Sequence, residues 1–246
     1  MKVAAISDVH ANLPALEAVL AAIDAGDVEE IWCLGDVIGY GADPDACTEL
    51  VHERCALCLV GNHDLAVLGV LDVEAFSEAA AAAVSWTREV VTETTLALLR
   101  ELEPEARREE IALFHASPRD PIWEYVLSAE QADACLDAHP ERIALIGHSH
   151  VSLFFVRPTE RATGEVRGAQ AGDDTLLDLD AGGWLVNPGS VGQPRDGDPR
   201  AAWLELDTDE LTARFHRVEY DVERAAGSIA AAGLPQRLGD RLRVGS

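Results

Sequence analysis

Apolar positions follow two different rhythms along the chain. Up to residue 150, short apolar runs alternate with longer stretches of helical spacing. Residues 3–6 form the first short run, and residues 13–25 have helical periodicity with Pro14 in the opening turn. Residues 31–34 predict a strand, 44–54 a helix and 56–60 a strand. The Ala-rich stretch 73–100 predicts one or two helices, and 110–114, 128–138 and 143–146 predict strand, helix and strand. Strands separated by helices imply βαβ units with buried parallel strands.

Past His150 the rhythm changes. Residues 153–157, 162–167, 175–179, 184–187, 201–206 and 211–219 read as strands divided by turns, the pattern of an antiparallel meander. Residues 222–242 return to helix, interrupted at Gly233 and Pro235. No repeat or low-complexity linker divides the chain. The expectation is a single α/β domain over residues 1–246, with 222–246 as a helical tail and the two halves forming two facing sheets.

Polar residues become informative where the early strands stop. Ile6-Ser7-Asp8-Val9-His10 is the first such end, followed by Leu34-Gly35-Asp36 and Val60-Gly61-Asn62-His63-Asp64. Leu113-Phe114-His115 and Ile146-Gly147-His148-Ser149-His150 complete the series. Ligand sites of α/β sheets lie beyond the carboxyl ends of strands, so five ends deliver oxygen and nitrogen donors to one crevice. Asp8 with His10, and His148 with His150, are two residues apart, a spacing that puts both side chains on one face of extended chain. Each motif alone is commonly a turn or a surface feature, and Gly35-Asp36 is a good turn. Their conjunction carries the inference: five of the eight histidines fall at these ends, whereas His52, His139 and His216 do not. Imidazole mixed with carboxylate suits manganese, iron, zinc or nickel better than calcium or magnesium.

Charge narrows the partners. The 246 residues carry 44 acidic and 19 basic side chains, a formal charge of −25 with Lys2 the only lysine. A broad electrostatic grip on nucleic acid needs clustered Lys and Arg, so no stable nucleic-acid complex is expected. Divalent cations reverse the sign locally, so a small anionic ligand held by metal ions is compatible with this charge. No apolar run reaches the roughly 18 residues that span a bilayer, and Asp8 interrupts the first apolar run. Five scattered cysteines (Cys33, Cys47, Cys55, Cys58 and Cys135) read as reduced thiols, so a cytoplasmic location without membrane contact is expected. The oligomeric state is not legible.

Asp8-x-His10, Gly35-Asp36, Gly61-Asn62-His63-Asp64, His115 and Gly147-His148-Ser149-His150 together resemble the calcineurin-like metallophosphoesterase superfamily. Asn187-Pro188-Gly189-Ser190-Val191-Gly192-Gln193-Pro194-Arg195 is similar to its small bacterial phosphodiesterase branch. The resemblance implies a two-sheet αββα sandwich with mixed parallel and antiparallel strands. It implies two transition-metal ions (manganese, iron, zinc or nickel) joined by Asp36 and a water or hydroxide. Asp8, His10 and His150 would hold the first ion; Asn62, His115 and His148 the second. His63 would contact the phosphate with Asn62 and is a candidate acid for the leaving group. Asp64 either orients the His63 ring or caps the following helix.

Two positions depart from the wider pattern. The run after Asp36 is Val37-Ile38-Gly39-Tyr40-Gly41, without the second Asp and Arg of the protein Ser/Thr phosphatases. Ala116 follows His115 where glycine is usual. A metal-dependent phosphodiesterase is therefore the leading expectation, ahead of a phosphomonoesterase, a nuclease and a non-catalytic scaffold. Arg119 and Arg195 are the cations placed to meet a further phosphate oxygen, Arg195 being equally readable as a solvated surface residue. Trp123, Tyr125 and Tyr40 either stack on an organic group or pack in the core.

Overall fold

A computed structural model describes residues 1–159 and 165–246. Among the described residues, twelve strands form two six-stranded sheets. The first sheet runs β3 (Leu57–Cys58), β2 (Glu30–Cys33), β1 (Lys2–Ile6), β11 (Ala201–Asp207), β12 (Thr212–Val218), β9 (Leu176–Asp178). The second runs β4 (Glu105–Arg108), β5 (Ile111–Phe114), β6 (Ile143–Leu145), β10 (Gly183–Pro188), β7 (Ser152–Arg157), β8 (Arg167–Gln170).

Strand alternation builds the layers. On β1, Val3 and Ala5 face the core between the sheets, where Trp32, Leu113, Leu145, Val186, Leu204 and Phe215 meet them. Ala4 and Ile6 point the other way, onto α1 (Leu13–Asp24) and α2 (Pro44–Arg54) through Leu16, Val19 and Val51. Ala112, Ala144 and Leu185 of the second sheet likewise face α6 (Ala129–Leu136) through Ala132 and Cys135. The result is the expected αββα sandwich, parallel among β1, β2 and β3 and between β5 and β6, antiparallel elsewhere except β6 with β10.

The division of the chain into one sheet per half is not what forms. Each sheet takes three strands from each half: β11 adds to the free edge of β1, and β10 to that of β6. An unpaired edge of a buried strand is closed by whichever later strand reaches it, and no local pattern specifies which. The hairpin β4–β5 also went unforeseen, because β4 is a mostly exposed run of Glu105, Ala106, Arg107 and Arg108 without apolar alternation. The strand expected over 162–167 lies partly outside the described residues; β8 begins at Arg167.

The Ala-rich stretch divides into a 3-10 turn (Val73–Ala75), α4 (Glu78–Val90) and α5 (Glu93–Leu99). Ser77 and Thr92 cap the two helices through their hydroxyls, which fixes the break. The tail forms α7 (Val222–Ala231) and α8 (Gln236–Leu242), with Gly233 and Pro235 at the turn between them. Both helices pack on their own chain, Ile229, Leu238 and Leu242 meeting Ala79, Ala83 and Tyr40. Among the described residues no helix is long and apolar enough to cross a membrane.

Candidate metal centre

The ends of β1, β2, β3, β5 and β6 bring all seven predicted ligands together. Asp8, His10, Asp36, Asn62, His115, His148 and His150 are at most 3% exposed. Asp8, His10, Asp36 and His150 form one group, and Asp36, His115 and His148 another, with donor atoms in each within 4.8 Å of one another. Asp36 belongs to both: its Oδ2 lies 3.5 Å from His10 Nε2 and 3.6 Å from His115 Nε2.

The backbone is bent to achieve this. Asp8, His10, Asp36, His148 and His150 all have φ between 50° and 63°, a left-handed conformation costing about 1 kcal/mol or more per residue. Hydrogen bonds hold it: Asp8 N donates to Gly35 O at 3.0 Å, His10 N to Asp36 O at 2.9 Å, and His148 N to Asp8 Oδ2 at 3.1 Å. Gly61 is required beside this bend, since a Cβ there would lie 2.0 Å from Asp36 Oδ1.

Ring orientation identifies what the site accepts. Nδ1 of His10, His115 and His150 lies 3.2, 2.9 and 2.7 Å from the carbonyl oxygens of Ile38, Leu34 and Gln193. A carbonyl oxygen only accepts, so each ring carries its proton on Nδ1 and presents a lone pair at Nε2. Yet His10 Nε2 faces His150 Nε2 at 3.1 Å. Burial drives both rings well below the usual imidazole pKa, so neither supplies a second proton. A cation between the two nitrogens would relieve that contact. Asp8 Oδ1, Asp36 Oδ2 and His148 Nε2 are also buried without a hydrogen-bond partner. Burial raises Asp8 to about 7 and Asp36 well above the carboxylate range. The donor set fits transition-metal ions, which relieve each of these unfavourable features at once.

The segment Asn187–Arg195 has a role that the sequence did not disclose. Asn187 Nδ2 donates to Gly147 O at 2.7 Å and to Ser149 Oγ at 3.0 Å, fixing the loop of His148 and His150. Ser190 Oγ donates to Asp8 O at 2.8 Å, and Asn12 Nδ2 to Gly192 O at 2.8 Å, fixing the loop of Asp8 and His10. One turn therefore clamps the ligand loops of both sheets.

His63 stands beside the centre, its ring 4.3 Å from that of Tyr40, 4.8 Å from His10 and 5.0 Å from Phe76. Its Nδ1 is buried and unpartnered, and burial pushes its pKa down to about 3, so the ring is neutral at pH 7. Gly39, at φ +90°, leaves the space for it; a Cβ would sit 2.5 Å from Nδ1. Asp64 does not bond the ring. Its carboxylate accepts from the amides of Gly61, Ile38 and Val37 at 2.9, 3.1 and 3.3 Å, joining the start of α3 (Asn62–Val67) to the Asp36 loop. Of its two expected roles the contacts are those of the cap.

A cavity of about 400 Å³ opens over the ligands. Asp36, Asn62, His63, His148 and His150 line its floor, with Tyr40, Phe76, Trp123, Tyr125 and two arginines around them. The Tyr125 ring stacks on His148 at 4.1 Å, and Phe76 meets Trp123 edge-on at 5.1 Å. Arg195 is one of the arginines, donating to Tyr40 Oη at 3.2 Å and Gln193 Oε1 at 3.0 Å. Arg119 is not the other. It is ion-paired with Glu124 and takes no part in the lining. Its place falls to Arg241 of α8, an unremarked arginine in the tail sequence.

A two-sheet sandwich with buried carboxylates and imidazoles gathered at its parallel strand ends is the build of a metal-dependent hydrolase. The comparisons make the class specific: residues 1–209 match the calcineurin-like phosphoesterase superfamily domain, and the chain belongs to that superfamily. The chain is 38% identical over 248 residues to the uncharacterized protein MJ0912 of Methanocaldococcus jannaschii, covering 99% of this chain and 98% of that one. The crystal structure of a metallophosphoesterase from Sphaerobacter thermophilus is similar at 40% identity and a TM-score of 0.90, covering 100% and 99% of the two chains. A hypothetical protein, PH1004 from Pyrococcus horikoshii OT3, shares the fold at a TM-score of 0.79 and 19% identity, over 100% and 98%.

Proposed function

We propose that this phosphoesterase hydrolyses a small phosphodiester at a dinuclear centre, with Asp8, His10 and His150 holding one ion, Asn62, His115 and His148 the other, and Asp36 shared. The observation that carries the reading is the lone-pair contact of His10 with His150, together with the unpartnered oxygens of Asp8 and Asp36. Two such ions supply a nucleophile from water at neutral pH and neutralise charge on the phosphoryl oxygens.

The chain's own residues do the rest. Nδ1–H bonds to Ile38, Leu34 and Gln193 keep the three rings from turning, so the donors are fixed before substrate arrives. Asn62, a neutral donor, leaves the centre more positive than a third carboxylate would. His63 lines the cavity, with its unpartnered Nδ1 buried beside Gly39. An arriving phosphoryl anion opposes the shift that burial imposes on this ring, favouring its protonated form and a proton for the departing oxygen. Arg195 lines the same cavity and offers it a cation. Phe76, Trp123 and Tyr125 give the cavity an aromatic wall for an organic substituent, and about 400 Å³ is room for a phosphorus that bears two.

The test compares bis-p-nitrophenyl phosphate with p-nitrophenyl phosphate, using protein stripped by chelator and reloaded with manganese. Faster turnover of the diester, absent from the stripped protein, is expected. Preference for the monoester would replace the diester reading, and no turnover of either by a protein holding two ions would remove the enzymatic one.

A further inference from the structure

The C-terminal helix pair contributes a side chain to the cavity, and what that side chain lacks is informative. Arg241 and Arg195 both line the cavity. Among the described residues neither is ion-paired with an Asp or Glu side chain, in a chain with 44 acidic side chains against 19 basic, although Arg241 Nε donates to Ser246 O. Their neighbours are otherwise arranged. Two residues along α8, Arg243 is ion-paired with Glu223 and Asp240, and the buried Arg217 is paired with Asp196. Arg195 Nε is buried with no partner at all, although its Nη2 is held by Tyr40 and Gln193. Arg241 is half-buried, and burial and then the charge of Arg195 both work against its cation. Two guanidinium groups that disfavour one another, aimed into one cavity beside an unused donor, define a place for an anion.

The position of α8 is not accidental to its neighbours. Leu238 and Leu242 are buried against α7 and α4 in the same cluster as Tyr40. Gly197 N donates to Gly245 O at 2.9 Å, which ties the end of the tail to the loop that follows Arg195. Arg241 is therefore presented by a packed element rather than by a free end.

We propose that Arg241, with Arg195, forms a second anion subsite, so that the preferred substrate carries a further phosphate or phosphate-like dianion beyond the phosphoryl group being cleaved. This deepens the phosphodiesterase reading and rests on it for the scissile group, while the subsite itself is read by binding alone. The bidentate fork of arginine matches a terminal phosphate, and the aromatic wall of Trp123 and Tyr125 takes the organic part that joins the two groups.

Two ligands without a hydrolysable bond test it: propylphosphonate and 1,3-propylenediphosphonate, titrated calorimetrically into the manganese-loaded protein. The diphosphonate is expected to bind about tenfold more tightly, the size of one added charge-assisted contact. In Arg241→Gln that advantage should vanish, with propylphosphonate affinity unchanged, and Arg241→Lys should restore part of it. Arg237→Gln, an exposed charge on the same helix, should leave the ratio as it was. Equal affinities in the wild-type protein would overturn the proposal. So would an advantage that survives Arg241→Gln, or an equal loss in Arg237→Gln, which would mark a general charge effect. Weaker binding of both ligands in Arg241→Gln would place the residue on the scissile phosphoryl group instead. Because neither ligand turns over, failure here is separable from failure of bis-p-nitrophenyl phosphate to be hydrolysed.

Discussion

The two ligand groups share Asp36 but are supported differently. In the group of Asp8, His10 and His150, both imidazoles are locked by backbone carbonyls and face one another across 3.1 Å, and of the three residues His150 reaches the cavity. In the group of His115 and His148, His115 is locked in the same way by Leu34, but His148 lies at the cavity under the ring of Tyr125, which is 43% exposed. One of the three side chains of the first group lines the cavity, against two of the second, Asn62 and His148. Under the proposed phosphodiesterase reading, the second group is the one placed to meet the ester.

Substitutions can break this contrast. Asp36→Ala removes the residue common to both groups, so bound manganese should fall from two equivalents to none, with at least about a 10³-fold loss in kcat/KM. Metal analysis after dialysis checks the first figure, and diester hydrolysis the second. A variant that keeps both ions would show that the groups are independent.

Next in size are His150→Ala and His148→Ala, each expected to lose one equivalent of metal. They should differ in stability. His150→Ala also strands the buried Gln193 carbonyl, a loss of about 1–3 kcal/mol. In metal-free protein this should lower Tm by several degrees, whereas His148→Ala should change it little. Equal thermal shifts would erase the distinction between the two groups.

Asn187→Ala tests the clamp from outside both groups. It should weaken metal affinity about 10- to 100-fold while leaving every ligand in place, measured by competition with a chelator. A smaller effect belongs to Tyr125→Ala, which should raise KM for an aromatic diester a few-fold and leave metal content unchanged.

Acidity sharpens the comparison in metal-free protein. Burial holds His10, His63, His148 and His150 below their ordinary pKa, so the unfolded chain binds more protons than the folded one below about pH 6.5. Those groups make stability fall as pH drops. Asp8, Asp36 and Asp64 are raised, which acts in the opposite sense between about pH 4 and 7. Four imidazoles outweigh three carboxyls, so Tm after chelation should decline on acidification from pH 7 to 5. Manganese should add less to Tm at the lower pH, because protons compete for the same donors.

The sequence disclosed what is local and concealed what depends on topology. All seven candidate ligands were legible as a cluster because each lies close behind an apolar strand run, and that juxtaposition survives without knowing which sheet a strand joins. The helices of residues 44–54 and 222–242 were legible from Pro44, Gly233 and Pro235. Arg241 was not: in the sequence it is one arginine among charged neighbours, and only the packing of Leu238 and Leu242 turns it toward the cavity. Asn187 and Ser190 were visible as a motif, but their work on two separate loops required both sheets to be assembled. Arg119 misled for the same reason, since proximity to His115 in sequence says nothing about its ion pair with Glu124.

The pairing of β1 with β11 has a consequence for how the protein is made. Lys2 lies opposite Asp207 and Ala5 opposite Leu204, so β1 leaves the ribosome long before the strand it pairs with. Until residues 201–207 emerge, the free edge of β1 offers its amides and carbonyls to any extended chain nearby. Contacts of such long sequence separation slow folding, and translation imposes the delay directly. Nascent chains stalled before β11 are therefore the natural clients of chaperones, and messages truncated there should yield aggregates rather than partially active enzyme.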